Sequence, residues 1–129
     1  MKKCVVIGVT GGIAVYKALD IISALKKKDI DVRVIMTDSA TKFINPITFQ
    51  SLSNNAVAVD TFQEIKVHEI QHISLAQRAD LMLIAPATAN IIGKVANGIA
   101  DDMLSTTIMA CKSKVIFSPA MNTHMYENR

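Results

Sequence analysis

Cys4 to Val9 forms an apolar run with no polar interruption, and most of its side chains are β-branched. Such a run suits a strand covered on both faces rather than one with a wet side. It stops at Thr10-Gly11-Gly12. Beyond the glycines, Ala14, Ala18, Ile21 and Leu25 recur at spacings of four, three and four, the stripe of an amphipathic helix. Asp29-Ile30-Asp31 breaks that pattern, and Val32 to Met36 reads as a second strand, which completes a βαβ unit with parallel strands.

The alternation continues to the end. Ser39 to Phe43 predicts a short helix, and Pro46 suits the first turn of another through Leu52. Ala56 to Val59 reads as a short strand and Ile73 to Arg78 as a helix. Leu81 to Ala85 is a buried strand stopped by Pro86. Thr88 to Val95 and Asp101 to Ala110 predict helices on either side of Asn97-Gly98, and Val115 to Phe117 is a final buried strand. These elements make a single α/β domain, a three-layer sandwich around an open parallel sheet. In such sheets ligands bind beyond the carboxyl ends of the strands, near the point where strand order reverses. That rule selects four loops: Thr10-Gly11-Gly12, Thr37-Asp38-Ser39, Pro86 to Asn90, and Ser118 to Asn122.

Composition narrows the class. With 129 residues, half of them apolar, the chain can bury one sizeable core and is not a disordered tail. The net charge is only +3, and its densest part, Lys26-Lys27-Lys28, falls where a helix should end and cations are favoured. Four phenylalanines, two tyrosines and no tryptophan, none among those lysines, argue against a nucleic-acid surface. The first apolar run is too short to span a membrane and lacks a cleavage site, so a cytoplasmic protein is expected. Cys4 and Cys111 lie in separate apolar segments without metal-ligand spacing and read as reduced core residues.

The selected loops carry the candidate chemistry. Gly11 and Gly12 open a helix whose first amides face a ligand unobstructed, although the loop matches neither of the common phosphate-binding glycine motifs. Asp38 ends the second strand, where dinucleotide folds keep a ribose-binding acid, but it stands farther from the glycines than usual. Thr37, Ser39, Thr88 and Asn90 supply hydroxyl and amide groups suited to a mononucleotide phosphate; each also suits a helix cap. His72, just before a short helix, is either structural or a neutral proton acceptor. His68, Glu69 and His72 form too small a set for a metal site, and none is expected.

Four segments, GVTGGIAVYK, VIMTDSATKFI, HISLAQRADLMLIAPATANIIGKVANGIADDMLST and PAMNTHMYENR, stand in the order seen in the flavin-dependent cysteine decarboxylases. Over essentially its whole length the sequence resembles that family. It is most similar to the phosphopantothenoylcysteine decarboxylases, which often form the amino-terminal half of a bifunctional coenzyme A biosynthesis protein. The resemblance implies a flavodoxin-like Rossmann fold that binds FMN and assembles as homotrimers or dodecamers, with the flavin at a subunit boundary. By that likeness Gly11, Gly12 and Ile13 meet the FMN phosphate region together with Thr37 and Ser39. Thr88, Ala89, Asn90 and Ile91 stand at the family's flavin motif, and Ala120 beside the isoalloxazine. His72 matches the active-site histidine, serving a neighbour's flavin. Asn122 matches the asparagine that holds the carboxylate of a small-molecule substrate.

The implied reaction converts 4′-phosphopantothenoylcysteine to 4′-phosphopantetheine. Oxidation of the thiol to a thioaldehyde gives the carboxylate an electron sink, and a hydride returns to the enethiol after carbon dioxide leaves. A peptidyl-cysteine decarboxylase or a non-catalytic flavin-binding regulatory subunit uses a similar core; a flavin prenyltransferase does too, but fits the HISL and PAMN segments less well. Members of the family continue past the asparagine motif into a lid carrying a cysteine, and neither Cys4 nor Cys111 stands at that position. Residues 1–129 are therefore expected to be one FMN-binding domain cut before its lid, able to bind flavin but falling short of complete turnover.

Overall fold

The computed structural model describes residues 2–59 and 74–119. Five strands, β1 (Cys4–Val9), β2 (Asp31–Met36), β3 (Ala58–Val59), β4 (Leu81–Ala87) and β5 (Lys114–Pro119), form an all-parallel sheet in the order β3-β2-β1-β4-β5. This is the open parallel sheet of a three-layer sandwich expected from the alternating pattern, and the Rossmann-type fold that the family resemblance implies. β1 sits at its centre, and every one of its residues is buried.

The two faces of the sheet carry separate cores. Val5, Ile7 and Val9 join Val32, Val34 and Met36 beneath α1 (Lys17–Lys27) and α3 (Pro46–Ser53), with Ala18, Ile22 and Phe49 filling the interface. On the opposite face Cys4, Val6, Met82 and Ile84 pack against Ile91 of α4 (Ala89–Ala96) and Met103, Leu104 and Ile108 of α5 (Met103–Ala110). Ala76 and Ala79, in and just after the helical residues 74–78, are buried as well. Each fully buried large aliphatic side chain contributes about 1.5–3 kcal/mol relative to exposure. Gly8 lets α5 approach: a Cβ there would lie 2.5 Å from Leu104 Cδ1 and 2.9 Å from Ile84 Cδ1.

Several boundaries differ from the expectation, each for a local reason. The chain after Gly12 first makes a 3₁₀ turn, Ile13–Tyr16, before α1 begins. Three residues per turn instead of 3.6 rotates the register. The buried positions are consequently Val15, Ala18 and Ile22, while Ala14, Ile21 and Leu25 are only partly covered. β4 does not stop at Pro86 but runs to Ala87. Pairing with β1 ends at Ile84 and pairing with β5 is irregular between Ile84 and Ala87, so the missing proline N–H costs no regular ladder bond. β5 is an edge strand rather than a buried one, and Ile116 on its outer side is 40% exposed. The short helix after β2 is α2 (Asp38–Thr41), and only two residues of the third predicted strand are paired. The lysine run ends α1 as expected, Lys26 and Lys27 in its last turn and Lys28 as its cap.

A polar cluster closes the end of the sheet remote from these loops. Asp31 accepts hydrogen bonds from Arg33 Nε at 3.3 Å and Asn55 Nδ2 at 3.1 Å, and Arg78 Nη2 stands 3.6 Å away. Burial pushes the Asp31 carboxyl up, but Arg33, Asn55 and Arg78 together outweigh it and hold the group below the ordinary carboxylate range. A carboxyl lowered on folding adds stability above its unfolded pKa of about 3.9, and that stability is lost as pH falls through the lower folded value. Taking the protein from about pH 6 to about pH 3 should therefore lower the urea midpoint more for the parent than for Asp31→Asn. Parallel curves for the two proteins would show that this carboxylate carries no such linkage.

Candidate functional site

Reversal of strand order places the switch point between β1 and β4, and the loops leaving β1, β2 and β4 converge in front of it. They border a cavity of about 280 Å³ lined by Thr10, Gly11, Thr37, Asp38, Ser39, Thr88, Asn90, Ile91, Lys94 and Asp102. Three of the four loops selected from the sequence thus meet at one place. The fourth contributes no lining residue among those described, although Ser118 and Pro119 end β5 on the same edge.

Thr10 ties the two central loops together. It is 2% exposed, its hydroxyl donates to the Pro86 carbonyl, and its oxygen accepts the Thr88 amide at 3.1 Å. Gly11 allows a second close approach. A Cβ at that position would stand 2.6 Å from Ser39 Cβ and 2.9 Å from the Ser39 carbonyl carbon, and backbone does not yield cheaply. At Gly12 the backbone is extended, and nothing lies within 4 Å of where a Cβ would be, so that glycine leaves open space. The glycines open a four-residue 3₁₀ turn that runs straight into α1, so the positive end of that helical stretch lies at this loop.

Thr37 and Thr88 are both N-caps. Thr37 Oγ1 accepts the Ala40 amide at 3.2 Å, and Thr88 Oγ1 accepts the Ile91 amide at 3.4 Å. The cap and ligand readings of these residues are compatible, because capping uses an oxygen lone pair and leaves the hydroxyl proton. Thr37 directs its proton at the Val9 carbonyl across a long 3.5 Å contact. Ser39 and Asn90 are exposed at the mouth.

Two lining residues escaped the sequence reading. Lys94 Nζ stands 2.9 Å from Asp101 Oδ1 and 3.4 Å from Asp102 Oδ2. The hydrogen bond that Lys94 donates to Asp101 is the main influence raising the Lys94 pKa, against the opposite pull of burial, and the ammonium is firmly charged. Asp102 is the N-cap of α5: it accepts the Ser105 amide at 2.7 Å and the Ser105 hydroxyl at 2.6 Å, while the Ser105 hydroxyl oxygen accepts the Asp102 amide. Helical spacing held the signal, since Lys94 lies one turn after Asn90 and Ile91 on the same face.

The other candidates distribute as follows. Gly11, Thr37, Ser39, Thr88, Asn90 and Ile91 line the cavity, whereas Gly12, Ile13 and Ala89 do not, and Ile13 is 85% exposed. His72, Ala120 and Asn122, with His68 and Glu69, lie outside the described residues. Cys4 is at the opposite end of β1, its thiol pushed up chiefly by burial, and it belongs to the core. Cys111 is half-buried and packs against the same core. No helix among the described residues is long and apolar enough to cross a membrane.

The whole chain, residues 1–129, matches the family described as Flavoprotein. It is similar to the coenzyme A biosynthesis bifunctional protein CoaBC of Bacillus subtilis, with 54% identity over 124 residues that make up 96% of this chain and 30% of that protein. The chain spans less than a third of that relative's length. Among solved structures it resembles the peptidyl-cysteine decarboxylase EpiD, with a TM-score of 0.84 and 31% identity over 99% of this chain and 75% of that one. It also resembles a PPC decarboxylase mutant complexed with pantothenoylaminoethenethiol, with a TM-score of 0.81 and 28% identity over 99% and 72% of the two chains.

Proposed function

The chain belongs to the Flavoprotein family, and on that premise we propose that it is the FMN-binding decarboxylase domain acting on 4′-phosphopantothenoylcysteine in coenzyme A biosynthesis. The observation that carries this reading is the convergence of the β1, β2 and β4 loops on one polar cavity at the switch point, in a chain 54% identical to CoaBC over 124 residues. The donors suit a phosphorylated polyol. The hydroxyls of Ser39 and Thr88, the amide of Asn90 and the ammonium of Lys94 face one volume, and Gly12 leaves room beside it. When bound, FMN supplies the two-electron chemistry that a cysteine carboxylate needs and no side chain provides.

The protein's own residues bind, orient and move protons. Thr37 and Thr88 fix the first turns of α2 and α4, and so the placement of Ser39, Asn90 and Lys94. His72 is assigned as base or hydrogen-bond partner at the substrate, and Asn122 as the group that holds the carboxylate near its leaving geometry. Both assignments rest on the family motifs. Assembly as a homotrimer or dodecamer is part of the same proposal. Large apolar side chains left exposed in the segments leaving β1 and β2, Ile13, Tyr16, Phe43 and Ile47, favour it.

A second reading, decarboxylation of a carboxy-terminal peptidyl cysteine, is favoured by the likeness to EpiD. One experiment separates the two. The purified protein is loaded with FMN and given either 4′-phosphopantothenoylcysteine or a peptide ending in cysteine, while carbon dioxide and the enethiol product are followed by mass. Release from the first substrate alone is expected. Release from the peptide alone would transfer the assignment to the second reading, and failure to take up FMN would end both.

A further inference from the structure

Among the described residues that line the cavity Lys94 is the sole cation, and two carboxylates, Asp38 and Asp102, share that lining. Without it the wall would present two negative charges and repel an anion. We propose that Lys94 is the contact that recognises a phosphate monoester in this cavity and makes the site prefer a phosphorylated ligand over its dephosphorylated counterpart. This inference rests on the flavin-dependent reading above and adds to it the residue that reads the ligand's charge.

The geometry supports such a contact in three ways. Asn90, Ile91 and Lys94 form one wall, because positions three and four apart share a helix face. The ammonium has three N–H groups. Its closest partner, at 2.9 Å, is the 59%-exposed Asp101, outside the lining; its contact to Asp102 is longer, 3.4 Å. Among the described residues no partner takes the third donor, and the longer contact is the cheaper one to exchange. Asp102 in turn is held by the Ser105 amide and hydroxyl, so it keeps its partners when an anion shares the lysine. Asp38 is exposed and screened by water.

The remaining donors at the cavity do not make this distinction. Hydroxyl and amide groups such as those of Thr88, Ser39 and Asn90 bind a polyol or a phosphate alike. A charge-assisted bond to an oxyanion is roughly twice as strong as a neutral one. A lysine that merely stapled α4 to α5 through its acid partners would influence every ligand equally.

Two sources can supply the monoester, the flavin's own phosphate and that of the phosphorylated cysteine substrate, and the test has an arm for each. In the first, FMN and riboflavin are titrated against the parent, Lys94→Gln and Lys94→Arg by quenching of flavin fluorescence. In the second, the FMN-loaded proteins are titrated with 4′-phosphopantothenoylcysteine and with pantothenoylcysteine. In one arm Lys94→Gln is expected to weaken the phosphorylated ligand about tenfold or more and to change the other less than about twofold, while Lys94→Arg keeps most of the preference. The arm that responds identifies the source. Equal losses for both members of each pair, or no change in either, would overturn the proposal. So would failure of Lys94→Gln and of Lys94→Met to fold, which would make the lysine a structural staple. A parent that binds neither FMN nor riboflavin would instead strike the flavin reading on which the inference rests.

Discussion

His72→Asn is expected to release carbon dioxide about 10²–10⁴-fold more slowly than the parent, the usual contribution of a positioned acid or base. FMN affinity should be unchanged. Asparagine retains a hydrogen-bond donor and an acceptor of similar reach to one imidazole nitrogen, but it takes up no proton near neutral pH. The variant thus removes proton transfer while preserving much of the polarity. Single-turnover release measured with FMN in excess keeps binding out of the comparison. A rate equal to that of the parent would refute the assignment of His72. A loss below about tenfold would reduce its role to that of a hydrogen-bonding neighbour, which asparagine replaces.

The parts of the fold legible in the sequence are those where one residue pattern admits one environment. β1 and β4 read as continuous apolar runs because helices cover both their faces, and the Asn97-Gly98 break separated the two helices that follow β4. Where two physical effects compete, the reading slipped. Pro86 lacks a ladder donor, which argued for a strand end, but regular pairing at that point has already lapsed. Val115 and Phe117 pack on the core, whereas Ile116 between them points away from it at the sheet edge; composition does not reveal an edge. Placement of the cavity followed from topology alone, and the hydroxyl residues followed from the cavity. Lys94 did not, because a lysine in a helix is usually a solvated one, and only the turn at Asn97-Gly98 brings its two acid partners within reach.

The same topology exposes a weak point at Thr10. Its hydroxyl is the link between the loops on either side of the switch point, giving a proton to the Pro86 carbonyl and receiving the Thr88 amide at 3.1 Å. Valine has nearly the same shape and would leave both backbone groups without that partner. Each buried group left unpaired costs about 1–3 kcal/mol; with the Thr88 residue partly reached by water, a loss of about 2–4 kcal/mol is expected for Thr10→Val. That is a large part of the 5–15 kcal/mol typical of a folded domain, roughly. Thr88 also caps α4, so a displaced Thr88 shifts Asn90, Ile91 and Lys94 together, and FMN affinity should fall with stability. Thr10→Ser, which keeps the hydroxyl and sheds the methyl, should recover most of both. Urea unfolding and FMN titration of the two variants decide the matter: a valine variant as stable as the parent would show that the bridge contributes nothing, while any loss in the serine variant measures only the methyl it sheds.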